Sequence, residues 1–258
     1  MGSFGQQFSH FLLLVVCVLI LLETFSLTDG FIFYRIRWKN HIFAFSNRQL
    51  ILNKKTIHII RHGETAYNKT GRIQGQGIDA SLNDQGRAQG NAFFETYQTL
   101  ALDKIYVSAL KRTKESVIHF INKGVPYESL TGLNEISWGD QEGKSFTPET
   151  KKKHFDVLGD WQKGDYDRVF PGGESPNQVM ARQREAIAHI MKQNHESEVL
   201  ICMHGRAIRI LLSWLLYDSL SKMESFEHTN LCRYQVNYDG NHFSLVASND
   251  TRHLENIS

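Results

Sequence analysis

The chain has 258 residues, with 29 Lys or Arg against 27 Asp or Glu and three cysteines. That length buries one good-sized core and a small appendage. The near balance of charge excludes the basic surface of a nucleic-acid binder, and Cys17, Cys202 and Cys232, with no CxxC pair among them, exclude a disulfide framework or a cysteine-held metal.

The first fifty residues stand apart from the rest. Phe11–Leu22 is an unbroken apolar run, shorter than the roughly 20 residues of a spanning helix. Residues 1–10 contain no Lys or Arg, so a secretory signal lacks its charged start. Gln6 stands where myristoylation of Gly2 wants Ser or Thr. Gly30–Ile60 then carries Arg35, Arg37, Lys39, Arg48, Lys54 and Lys55 and no acidic residue, and Phe31–Phe45 mixes aromatics with those cations. Beside a secretory signal of that incomplete kind, two further readings stand. Residues 1–50 are a membrane anchor that touches the bilayer and leaves the catalytic part in the cytoplasm by the positive-inside rule, or they are an extension absent from the mature protein.

From Lys55 onward strands and helices alternate. Thr56–Ile60 is a β-branched run that predicts a buried strand leading into Arg61-His62-Gly63. Asn83 predicts the N-cap of a helix over 84–99, with Ala88, Ala92, Phe93 and Tyr97 at helical spacing. Lys104–Ser108 reads as a second strand and 109–122 as a helix. Residues 144–170 form a variable cap, in which Phe146, Phe155 and Trp161 either face a ligand or pack. Ser175 to Gln178 is a capping box with Pro176 at the first helical position, ahead of an apolar stripe of Val179, Ala186, Ile187 and Ile190. Glu198–Met203 is a third strand, ending at His204, with a helix after it. Arg233–Tyr238 and His242–Val246 flank Asp239-Gly240 and predict a hairpin. This order implies a three-layer αβα sandwich with a mainly parallel central sheet over residues 51–258. His62, Ser108 and His204 each fall at the carboxyl end of a predicted strand, the edge where open α/β sheets bind ligands.

Phosphoryl transfer without a metal needs fixed cations around three charged oxygens, a nucleophile in line and an acid for the leaving oxygen. Arginine suits the first task because its planar fork meets two oxygens at once. Arg61-His62-Gly63-Glu64-Thr65, with Gly63 expected to let the backbone approach a ligand, resembles the signature of the histidine phosphatase superfamily, the phosphoglycerate mutase-like proteins. Asn68 and Arg72-Ile73-Gln74-Gly75 resemble its phosphate loop, and Ser108 to Thr113 the segment with its second arginine. Leu133-Asn134-Glu135-Ile136 resembles the acid segment, and Pro171 to Ser175 and Met203-His204-Gly205 complete a series that spans about residues 55–249.

The resemblance implies a role for each position. His62 attacks phosphorus, its other nitrogen held as N–H by a backbone carbonyl. Arg61, Arg112 and His204 bind the phosphoryl oxygens, helped by Asn68, Gln74 and Gly75. Glu135 protonates the leaving alcohol, and then takes a proton from the attacking water. The site uses no metal and no cofactor, and its partner is a small phosphorylated substrate. Plainer roles stand beside these: Arg112 as a surface helix cation, Glu135 as a salt-bridge partner with Glu142 as substitute acid, Glu174 and Ser175 as structural groups, and His58 as a core residue. Arg206, where a small residue is common in the family, faces either the substrate mouth or solvent.

Hydrolysis of a monoester is the first reading. In mutases of the family a block like Glu-Arg-His-Tyr stands where this chain has Glu135-Ile136-Ser137-Trp138, and between Lys151 and Phe170 five basic residues meet four acidic ones, a poor match for two phosphates. A phosphoglycerate mutase-type transfer is the alternative, and an inactive member that binds phosphorylated ligands or proteins is the second.

Overall fold

The computed structural model describes residues 54–255 and 257 with their side chains, and the backbone of three earlier strands: β1 (Glu23–Thr28), β2 (Phe31–Trp38) and β3 (His41–Arg48). The chain divides into two compact units, Met1–Leu52 and Asn53–Ser258. In the first, β1, β2 and β3 pair antiparallel in chain order. Within the stretch Phe31–Phe45, Phe31–Trp38 and residues 41–45 thus fall on strand backbone, in keeping with their β-branched and aromatic content. The run Phe11–Leu22 lies outside the described residues. Among the described residues no helix is long and apolar enough to cross a membrane.

The second unit is built on six strands, β4 (Lys55–Arg61), β5 (Lys104–Val107), β6 (Tyr127–Ser129), β7 (Glu198–Met203), β8 (Arg233–Tyr238) and β9 (Phe243–Asp250). Their order across the sheet is β6-β5-β7-β4-β8-β9. The first four run parallel, while β8 and β9 complete the sheet antiparallel. Successive side chains point to opposite faces of a strand, and both faces here are apolar. Ile57, Ile59, Val199, Ile201 and Met203 share one buried cluster with Ala186, Ile187 and Ile190 of helix α6 (Pro176–Met191) and Ala207, Ile208 and Leu211 of α7 (Gly205–Tyr217). Ile60, Ile105, Val107, Leu200 and Cys202 pack instead with Phe93 of α2 (Asp84–Tyr97) and Phe120 of α4 (Ile118–Asn122). Each such aliphatic side chain contributes about 1.5–3 kcal/mol by leaving water, so the mainly parallel sheet is stable only when covered on both sides. The three-layer arrangement expected from the alternation is present.

Helix starts follow their caps. Asn83 Oδ1 accepts the Gly86 N–H (2.8 Å), and Ser175 with Gln178 forms the reciprocal box at α6. The stretch 109–122 is not one helix but two, α3 (Lys111–Ser116) and α4, broken at Val117. Ser116 explains the break: its hydroxyl donates to the Arg112 carbonyl (2.6 Å) and accepts the Gly63 N–H (2.9 Å), competing with the helical ladder. A four-residue helix, α1 (Ala66–Lys69), and strand β6 have no counterpart among the sequence expectations. The cap segment holds α5 (Pro148–Gln162), seated by Trp161, which is fully buried against Trp138 and Phe170. Trp161 is therefore core. Phe155 is 64% exposed, and only Phe146 of the three aromatics reaches the cleft described next.

Candidate active site

Parallel register brings the expected residues to one edge. Arg61 lies opposite Met203 and Val107 opposite Cys202, so the residues just beyond, His62, Ser108 and His204, emerge side by side. The His62 N–H donates to the Met203 carbonyl (3.0 Å), extending the β4–β7 ladder to the first histidine. The His62 and His204 rings are 5.1 Å apart, centre to centre.

His62 is nearly buried, with its Nδ1 2.7 Å from the Gly63 carbonyl. A carbonyl only accepts, so Nδ1 carries the hydrogen and Nε2 keeps its lone pair. Burial, then Arg112 and Arg61, holds the ring well below its ordinary pKa, so it stays neutral. Gly63 differs from expectation in what crowds it. A side chain there would meet the Gly86 carbonyl at 2.5 Å, and one at Gly86 would meet the Glu64 carbonyl at 2.1 Å. The two glycines let α2 pack on the loop after His62, a contact that their smallness serves.

Among the cations, Arg61 gives Nη1 to the His228 carbonyl (2.6 Å), while its Nε is buried without a partner among the described residues. Gln74 repeats the pattern: Oε1 accepts from Thr65 Oγ1 (2.8 Å) and Nε2 is buried and unpartnered. Both residues line one cleft of about 340 Å³, together with Asn68, Glu135 and Gly205. Buried orphan donors are costly and rare, and two in one cleft fit an anionic ligand. Asn68 Oδ1 accepts from Thr65 N (3.2 Å) and from Asn230 Nδ2 (3.2 Å). Gly75 contributes differently from Gln74: it does not line the cleft, and its carbonyl accepts from Arg112 Nη2 (3.2 Å).

Arg112 and His204 are fully buried, and neither they nor His62 are among the residues that line the cleft. Arg112 donates through Nη1 to the Ile78 carbonyl (2.6 Å) and through Nε to His204 Nδ1 (3.2 Å). His204 Nε2 lies 2.8 Å from Ser108 Oγ. Both ring nitrogens of His204 are thus engaged within the protein. Burial and then Arg112 push its pKa down as well, and burial pulls the Arg112 guanidinium to about 10.

Glu135 sits at the start of α7, where His204 gives no side-chain cap. Its Oε1 accepts from Ile136 N (2.9 Å) and Ala207 N (2.9 Å), and its Oε2 from Arg206 N (3.1 Å). An acid at a helix N-terminus is well placed electrostatically. Glu142 bonds Trp138 N (3.1 Å) instead, and Glu174 pairs with Arg182 (2.9 Å). His58 lies in the core between Glu198 (2.9 Å) and Arg233 (3.1 Å).

Arg206 turns inward. It lines the cleft, pairs with Glu224, which also holds Arg209, and lies over the Trp161 ring (5.5 Å). Sequence reasoning missed Arg72, Trp138, His154, His228 and Asn230 as wall residues. Trp138 and Arg72 stood inside quoted motifs, and that neighbourhood was the available signal. His228 and Asn230 precede β8, and nothing in their spacing says that β8 lies beside β4. Burial lowers the pKa of His154 to about 4 and of His228 to about 3, aided by Arg206 and Arg61 respectively. Each therefore adds a polar edge without charge.

Parallel strands bring Arg61 and two histidines to one edge of an α/β sheet, and the helix after β5 sets Arg112 against the second histidine. The arrangement is suited to phosphoryl chemistry, and sequence comparison agrees. The chain belongs to the histidine phosphatase superfamily, branch 1, whose profile matches residues 57–251. It is 32% identical over 171 residues to 6-phosphofructo-2-kinase/fructose-2,6-bisphosphatase of Gallus gallus, covering 66% of this chain and 34% of the relative. The chain thus spans about a third of that relative's length. With phosphoglycerate mutase-like protein 4 of Arabidopsis thaliana it shares 29% identity over 203 residues, 77% of this chain and 86% of the other. A solved mycobacterial glucosyl-3-phosphoglycerate phosphatase, in complex with VO3, matches with TM-score 0.68 and 25% identity, over 76% of this chain and 100% of that one. Phosphatases thus stand among both its relatives and its structural neighbours.

Proposed function

We propose that the domain over residues 51–258 hydrolyses phosphomonoesters, without a metal, through a phosphohistidine on His62, with 144–170 capping the cleft. The observation that carries this reading is the Gly63 carbonyl on His62 Nδ1, which leaves Nε2 as a neutral nucleophile; Arg61 and Gln74 bring two unpartnered donors to the cleft. The His62 Nε2 lone pair forms the bond to phosphorus as the bond to the alcohol oxygen breaks. Glu135 supplies the proton that the departing alkoxide takes. Arg61, Arg112 and Gln74 oppose the charge on the phosphoryl oxygens, a task that needs donors fixed in advance. Water then attacks the phosphohistidine, giving its proton to Glu135, and phosphate leaves as His62 regains its lone pair. Residues 1–50 act as a tether that this chemistry does not use.

The test is hydrolysis of an aryl phosphate by the full chain with EDTA present, beside His62→Ala, with acid-labile phosphate on the protein as second readout. Turnover and label should both vanish in the variant. Turnover that survives in His62→Ala, or that EDTA abolishes, refutes the reading, and phosphate returned to an added phosphoglycerate instead of water favours the mutase.

A further inference from the structure

We propose that Ser108, backed by Thr113, is a positioning residue that fixes which nitrogen of His204 carries the proton and so aims Arg112. The proposal takes Arg112 as a phosphoryl-binding group and rests on the reading above for its consequence, though not for its geometry.

The hydrogen positions follow from donor counting. A guanidinium only donates. Arg112 Nε stands 3.2 Å from His204 Nδ1, so that nitrogen bears a lone pair and the ring hydrogen is on Nε2. Ser108 Oγ, 2.8 Å away, accepts it. Ser108 Oγ also accepts the Leu110 N–H (3.1 Å), which uses its second lone pair. Its own hydrogen is left for Thr113 Oγ1 (3.1 Å), and the Thr113 hydrogen goes to the Leu110 carbonyl (2.8 Å). The relay therefore runs one way, from His204 through Ser108 and Thr113 to a carbonyl that can only accept. Reversed, it would set an Nδ1–H against the Arg112 Nε–H.

All four side chains are at most 2% exposed, so water does not compete for these bonds, and a reversed bond has no cheap substitute. Burial beside Arg112 also favours the neutral ring. Arg112 is tethered at three of its five N–H groups, by Ile78 O, Gly75 O and His204 Nδ1. Five less three leaves two for phosphoryl oxygens. The His204 tether is the only one of the three set by a side-chain tautomer. Ser108 directly follows β5, and Arg112 and Thr113 lie in the first turn of α3, so one six-residue segment carries the guanidinium together with the relay that orients it.

The experiment uses the full chain with 15N-labelled histidine. Long-range imidazole spectra report the His204 tautomer, and titration with inorganic phosphate reports binding, in the wild type, Ser108→Ala and Ser108→Thr. The wild type should show His204 as the Nε2–H form. Ser108→Ala should lose that preference and bind phosphate about tenfold or more weakly, the order expected for an orphaned buried donor. Ser108→Thr should restore both, which separates the hydroxyl from a mere packing defect. If Ser108→Ala fails to fold, Thr113→Val, which removes the relay's last hydroxyl, should shift both readouts in the same direction. A wild-type Nδ1–H form overturns the proposal, as does an unchanged tautomer and affinity in Ser108→Ala or, failing that, in Thr113→Val. Both readouts need no turnover, so a protein that binds phosphate in this tautomer and hydrolyses nothing would sink the proposed function alone.

Discussion

Replacing Glu135 by Gln separates two roles that its position combines. The carboxylate caps α7 through two N–H groups, accepts a third from Ile136, and is proposed to protonate the leaving alcohol. Gln keeps one carbonyl oxygen, which can serve Ile136 N and Ala207 N, but sets its amide against Arg206 N–H. Losing one bond to a charged acceptor costs about 1.5–3 kcal/mol, which lowers the Tm of a domain this size by about 3–12 °C. Loss of a general acid costs about 10²–10⁴ in rate, or about 2.7–5.4 kcal/mol at 1.36 per decade. The two effects part company when the leaving group changes. A nitrophenolate departs without a proton, whereas an alkyl alkoxide does not. The assay is the pre-steady-state release of alcohol from a nitrophenyl and an alkyl phosphate, below the variant's melting range. The rate should fall at least tenfold more for the alkyl ester. Equal losses on both esters would refute the acid role and leave Glu135 as a helix cap.

Stability should fall on acidification. His62, His204 and His154 all have folded pKa values below the usual 6.5, chiefly through burial. The unfolded chain therefore takes up protons that the folded rings refuse, so stability is complete above about pH 6.5 and is lost as pH falls towards the folded values. Each ring contributes up to about 1.4 kcal/mol per pH unit in that window, and thermal unfolding from pH 7.5 to 5 reads the slope; a flat Tm contradicts it. Gly86→Ala drives a methyl to 2.1 Å from the Glu64 carbonyl and should destabilise by several times the ~1 kcal/mol of an ordinary mutation. Gly159→Ala in α5, with open space around it, should stabilise by about 0.5–1 kcal/mol; urea midpoints compare the pair. Arg206→Ala uncovers Trp161 and leaves Glu224 to Arg209 alone. It should cost about 1–3 kcal/mol, and Arg206→Lys should not recover it, because an ammonium does not stack as a guanidinium does; denaturant unfolding of both variants decides.

Much of this architecture is legible in the sequence because the residues that form strands also end at the site. Thr56–Ile60 is β-branched and runs directly into Arg61 and His62, and Glu198–Met203 runs into His204. Local pattern and chemistry there point the same way. The break at Val117 was not legible, since it depends on Ser116 meeting Gly63 from 53 positions away. Nor was the reason for Gly63, whose neighbour Gly86 lies on another helix. Arg206 stayed ambiguous because its direction depends on Glu224 and Trp161, which only the tertiary fold brings near. Strand β6 has three residues with one only half-buried, too short for any period to show.

Strand β8 runs against β4, so its amino end, not its carboxyl end, meets the reactive edge. The turn before it therefore delivers His228 and Asn230 to a rim otherwise fed by parallel strands. That turn supplies neither the nucleophile nor the arginines, and its residues follow α7 in a single stretch from Asp218 to Cys232. Exchange of this one stretch between homologues alters one wall of the cleft, and it leaves Arg61, His62 and Asn68 in place only where the His228 carbonyl and the Asn230 amide are kept. One loop thus shapes the mouth and braces the nucleophile's strand, so a change of substrate range made there is coupled to the chemistry behind it.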